Sequence, residues 1–144
     1  MRHWLCAAMV GLGLLVSASV ASQAQMDLST ALVGTWSGQI QMASGTYPRT
    51  LIIRSIQSAT PRPVARAEYS GEGNGYGGPT STRAAVEVTI EAFGNDVILR
   101  FRAPESYPIT LSLYKDRRHL FGAMNISVDR GAWAINPVRL TKVE

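Results

Sequence analysis

The stretch Val86-Glu87-Val88-Thr89-Ile90-Glu91-Ala92-Phe93-Gly94-Asn95-Asp96-Val97-Ile98-Leu99-Arg100-Phe101-Arg102 reads as two strands around a turn. Val86, Val88 and Ile90 alternate with Glu87, Thr89 and Glu91, and after Gly94-Asn95-Asp96 the residues Val97, Leu99 and Phe101 alternate with Ile98, Arg100 and Arg102. A period of two sends successive side chains to opposite faces, so this segment predicts a β-hairpin with one buried face. Glu87 and Glu91 are expected opposite Arg100 and Arg102 on the outer surface, where such pairs act mainly on register.

The same period extends in both directions. Upstream, a first strand is expected from Leu32 to Met42, with Leu32, Trp36, Ile40 and Met42 on one face and Thr35, Ser37, Gln39 and Gln41 on the other. A turn over Ser44 to Pro48 precedes a second strand from Arg49 to Gln57, and a third covers Val64 to Tyr69. The segment Ser70 to Pro79 is too rich in glycine for regular structure and reads as the longest loop, with Tyr76 at its tip. Downstream, strands are expected at Ile109 to Leu113, Leu120 to Ile126 and Val138 to Val143, with a charged turn at Lys115 to Arg118. No helix of consequence is expected, and Val128 to Trp133 reads as a loop or a single turn.

The fold class is therefore all-β. Eight sequential strands with mostly short turns remove their exposed edges most directly by closing, which predicts an eight-stranded antiparallel up-and-down β-barrel. A β-sandwich is the alternative; it needs a long crossover, for which only the loop after Tyr69 has the length.

Before the strands, Met1-Arg2-His3 is a short basic start, Trp4 to Val16 is apolar, and Ser17 to Ala24 is small and polar. This is the layout of a signal peptide over residues 1–24, with the mature chain starting between Ser22 and Gln25. Residues 25–31 then form an N-terminal arm, and residues 32–144 the barrel domain. The apolar run is shorter than a spanning helix requires, so no stable membrane anchor is expected after cleavage, and the location is periplasmic or secreted. The 144 residues contain one cysteine, Cys6, which leaves with the leader. The mature chain has no disulfide or thiolate site. Removing Arg2 lowers the 14 basic residues to 13 against 10 acidic ones, and the arginines are scattered rather than clustered, which argues against nucleic acid as a partner.

Gly34-Thr35-Trp36, at the start of the first strand, resembles the opening of the lipocalins and the wider calycin group, which includes avidin-like barrels. The resemblance implies a barrel whose closed end is plugged by Trp36, with a basic residue near the last strand packed across the indole. Arg139 stands in the matching place, and a guanidinium over an indole is held by cation–π attraction. The avidin-like positions that bind biotin through polar side chains hold Gly38 and Met42 here, so the likeness does not extend to biotin.

Catalytic chemistry finds little material. His119 lies in the charged turn Lys115-Asp116-Arg117-Arg118-His119 and reads as a solvated histidine, and no serine sits in a nucleophile elbow. No His, Cys or carboxylate cluster has metal-ligand spacing, so neither metal nor cofactor is expected. The alternating glycines Gly71, Gly73, Gly75 and Gly77 lack the lysine and helix of a phosphate loop. Trp36, Tyr69, Phe101, Tyr107 and Trp133 are expected to line or fill the interior.

The chain is thus not expected to be an enzyme. The first expectation is non-covalent binding of a small apolar or amphipathic ligand in the lumen, contacted by Ile40, Met42, Tyr76, Val88, Leu99, Phe101 and Leu111, with Gly34, Trp36 and Arg139 structural. The alternative is a filled barrel acting through protein contact, such as a periplasmic inhibitor or envelope interaction protein. An eight-stranded barrel lies at the size where either outcome is physically open.

Overall fold

A computed structural model of the chain describes residues 27–58, 62–72, 81–104, 107–128 and 131–143. The strands are β1 (Gly34–Met42), β2 (Gly45–Gln57), β3 (Val64–Glu72), β4 (Ser81–Phe93), β5 (Asp96–Arg102), β6 (Pro108–Leu113), β7 (His119–Val128) and β8 (Ala132–Val143). Each pairs antiparallel with the next, and β1 pairs with β8, so the sheet closes into a barrel in chain order. Closure leaves no long crossover, and the sandwich alternative is set aside.

The diagnostic hairpin is β4–β5, turning at Gly94 and Asn95 with Phe93 opposite Asp96. Of the expected outer pairs, Glu91 meets Arg100 at 3.4 Å and also Arg62 at 3.8 Å, while Glu87 stands in register with Arg66 of β3. Glu68 bridges Arg54 and Arg83 on the same outer face.

Most departures from expectation are strands that run longer than the pattern suggested. The β1–β2 connection is a two-residue turn closed by Met42 opposite Gly45, so the segment around Pro48 is strand rather than turn. Pro48 is tolerated because the ladder to β3 begins only at Arg49 opposite Gly71. In the region Val128 to Trp133, expected as a loop or a single turn, β7 reaches Val128 and β8 starts at Ala132, and residues 129–130 lie outside the described residues. At the other end, β1 starts at Gly34 because residues 27–32 form a short helix. Gly34 has φ 134°, a conformation open to glycine, where the chain leaves that helix for the barrel. Gly122 serves a different need, since a Cβ there would lie 1.8 Å from the Thr110 carbonyl oxygen on β6.

Inward side chains form one continuous apolar core running from Leu32 and Trp36 through Leu51, Ile90, Leu99 and Leu120 to Met124 and Ile126. Among the described residues, two polar ones are buried with it, Arg49 and Asn136. Because the described residues contain no cysteine, this packing and the closed ladder carry the stability of the fold.

Candidate functional site

The barrel has two different ends. At the end where β1 starts and β8 finishes, the helix 27–32 closes the opening. Its last turn is sealed by the Val33 N–H donating to the Ser29 carbonyl at 2.9 Å. A helix leaves its final carbonyls without helical partners. Here the Trp36 Nε1–H donates to the Leu32 carbonyl at 2.9 Å, and Lys142 Nζ donates to the Thr30 and Ala31 carbonyls at 3.1 and 2.9 Å. The Lys142 ammonium also lies 5.5 Å from the centre of the Trp36 ring. It thus complements both the negative end of the helix and the indole face. Burial pushes the Lys142 pKa below the ordinary lysine value.

Arg139 does not perform this role. It stands in register with Gln39 on the outer face, with its guanidinium 5.8 Å from the centre of the Phe121 ring. Along β8 the inward residues are Val138 and Leu140, so parity turns Arg139 outward and Lys142 inward.

The start of the helix is tied to the β6–β7 turn by a bidentate pair, Arg117 Nη1 and Nη2 to the Asp27 carboxylate at 2.7 and 3.1 Å. The guanidinium holds the Asp27 carboxyl below the usual carboxylate range. In the same turn Asp116 accepts the backbone N–H groups of Arg118 and His119 at 2.8 and 3.2 Å, and its other oxygen lies 2.6 Å from His119 Nδ1. The carboxylate is a clasp for the turn, and these hydrogen bonds lower its pKa. The His119 ring stacks on Phe121, with centroids 6.0 Å apart.

The structure brings the expected lining residues together inside the barrel. Ile40, Val88, Leu99 and Leu111 have no accessible surface, and Met42 and Phe101 are buried nearer the opposite end. Tyr76 lies outside the described residues. Tyr69 is buried with its ring edge-on to Phe101, centroids 5.3 Å apart, and Tyr107 is partly buried. Trp133 is the exception among the aromatics: it is 60% exposed, because strand β8 begins before it and parity places it outside.

The mouth, where β1 ends and β8 begins, is the polar part of the interior. Arg49 follows the odd, inward set Arg49, Leu51 and Ile53, and lies against Gly71, where a Cβ would come within 2.7 Å of the guanidinium carbon. It donates from Nη1 to the Pro48 carbonyl at 2.8 Å. Asn136 Nδ2 donates to the Met124 carbonyl at 3.3 Å, and the Tyr47 hydroxyl to Ser44 Oγ at 3.0 Å. Neither Arg49 nor Asn136 stands out in the sequence, although their positions in alternating strands carry the signal.

Among the described residues, two concavities lie outside the lumen. One, of about 590 Å³, is an open groove beside Glu87, Arg100, Arg102 and Pro104 that reaches the rim at Phe101. The other, of about 520 Å³, runs between the helix and the neighbouring turns, along Leu28, Ala31, Val97, Tyr114 and Arg117. Among the described residues no group of three or more His, Cys, Asp or Glu is placed to hold a metal ion. A scan against protein-family models found no match, and a search of curated proteins found none either.

Proposed function

We propose that this chain is an exported, calycin-like binding module with a filled barrel, and that it works without catalysis through contact of its outer surface with protein. One observation carries this reading. Ile40, Val88, Leu99 and Leu111, the centre of the expected ligand site, have zero accessible surface, so no water-sized void adjoins them. This supports a barrel whose middle is packed by its own side chains. The calycin likeness rests on Gly34-Thr35-Trp36 at the closed end, and export on the layout of residues 1–24. His119 fits the non-catalytic reading, since its Nδ1 partner Asp116 is engaged in holding the turn.

Native mass spectrometry of the mature protein purified from its own envelope, with solvent extraction, tests the proposal. Bare protein at its calculated mass is expected. A stoichiometric small-molecule adduct would overturn it.

A further inference from the structure

The barrel closes, but its ladder between β1 and β8 is incomplete. It runs from Thr35 opposite Val143 to Ile40 opposite Val138 and stops there. The other side of β8 is paired with β7 from Thr141 opposite His119 as far as Ala132 opposite Val128. The hairpin of β7 and β8 therefore projects past the end of β1, and residues Ala132 to Pro137 have no β1 partner. Pro137 ends the ladder for a chemical reason. The Lys142 N–H bonds toward β7, to the Arg118 carbonyl at 2.8 Å, so even-numbered residues of this unbroken strand direct their backbone groups to β7 and odd-numbered ones to β1. Pro137 has no N–H to give on that side.

The odd residues beyond it are Trp133 and Ile135. Their N–H and C=O groups face an edge with no strand partner among the described residues, and their side chains are 60% and 71% exposed. An apolar edge left open in this way is a template for another strand. The segment Ala132-Trp133-Ala134-Ile135-Asn136 carries no charge and is complementary to itself when inverted. Antiparallel pairing about a two-fold axis through Ala134 puts Trp133 of each copy opposite Ile135 of the other, with both backbone groups of both residues satisfied and both large side chains on one face. Sliding the register so that Ile135 faces itself would set Trp133 against Pro137, which has no N–H to return.

We propose that the projecting edge Ala132–Asn136 pairs with the same edge of a second copy of this chain, giving an isologous dimer in which the sheet continues from one barrel to the next. The inference is independent of whether the lumen is filled. Such an edge buries less than the ~1,200 Å² of a standard interface, so the association is weak and depends on concentration.

The test is hydrogen exchange at single-residue resolution, read with sedimentation velocity from low micromolar to about 1 mM protein. The Trp133 and Ile135 amides are expected to slow with rising concentration, roughly tenfold once about nine in ten chains are paired, while Ala134 and Asn136, bonded to β7, stay protected throughout. Ile135→Lys, a change at an exposed position, should leave the fold intact and abolish both the slowing and the dimer. Ala134→Cys gives a second measure. A pair on the axis, unbonded through its backbone, has Cα atoms about 4.5 Å apart, within disulfide range, and a link between the two introduced thiols is expected under oxidation. Four outcomes would overturn the proposal: a monomer at every concentration, a dimer whose Trp133 and Ile135 amides stay unprotected, a dimer that survives Ile135→Lys, or amides already protected in the dilute monomer. Protection by a co-purified peptide instead of a second copy would also overturn it. Native mass spectrometry of the single chain reads the lumen separately, so failure of one reading leaves the other standing.

Discussion

Lys142 is the residue on which the closed end depends, and replacing it by Met isolates what its charge does, because Met keeps the aliphatic stem. The ammonium donates to two helix-end carbonyls and lies over the Trp36 ring. A bond from a charged donor contributes about 1.5–3 kcal/mol when desolvated. The Thr30 contact is exposed, however, and water replaces it, so it adds only about 0.5 kcal/mol. The cation over the indole adds about 0.5–1 kcal/mol. The desolvation that pushes the Lys142 pKa down offsets part of the total, leaving about 2 kcal/mol. For a domain of about 120 residues this lowers Tm by roughly 6–12 °C. Arg139→Met is the matched control. That guanidinium lies over exposed Phe121, and its loss should cost less than about 0.5 kcal/mol. The assay is urea unfolding followed by tryptophan fluorescence, with thermal melts alongside. If Arg139→Met costs as much as Lys142→Met, the account of the closed end is wrong.

Three further outcomes follow from the same structure. Trp36→Ala removes a fully buried indole and its bond to the Leu32 carbonyl, and should cost about 3–5 kcal/mol in urea unfolding; a near-neutral result would mean that the tryptophan does not seal the barrel. Gly122→Ala drives a methyl into the Thr110 carbonyl, a backbone atom, and should destabilise by about 2 kcal/mol or more, whereas Gly94→Ala meets no atom within 4 Å and pays only for its positive φ. Arg117 depresses the Asp27 carboxyl pKa on folding, so its stabilisation is fully present above the ordinary carboxylate value and is lost as pH falls through the depressed one. Melts from about pH 7 down to pH 2 should show a loss on the acid side that shrinks in Asp27→Asn, and an unchanged acid limb would count against the Asp27–Arg117 tie.

Much of this architecture was legible before any coordinates. The alternation in β4 and β5, with Gly94-Asn95-Asp96 between them, allows only a hairpin, because one face of each strand is apolar and the other is not. The same rule placed Ile40, Met42, Val88, Leu99, Phe101 and Leu111 inside, where the structure has them. Parity also carried information that residue type obscured. Arg49 alternates with Leu51 and Ile53, and Lys142 with Val138 and Leu140, so both belong to the inner face although charge suggests the outer one. Trp133 gave the opposite error: an aromatic residue suggests burial, but two-residue periodicity from Val138 back through Asn136 places it outside.

Periodicity, turns and composition thus determined by themselves that the chain is all-β, which faces are apolar and how many strands there are, since these depend on local spacing alone. Tertiary structure decided the rest, because it depends on meetings between residues far apart in the chain. Whether the sheet closed or folded into a sandwich turned on β1 finding β8. The short helix 27–32 exists where it does because Trp36, Lys142 and Arg117, contributed by β1, β8 and a distant turn, satisfy its polar groups. Packing at the barrel's middle, where Ile40, Val88, Leu99 and Leu111 have no accessible surface, depends on the radius that eight closed strands set, a quantity that no local pattern encodes.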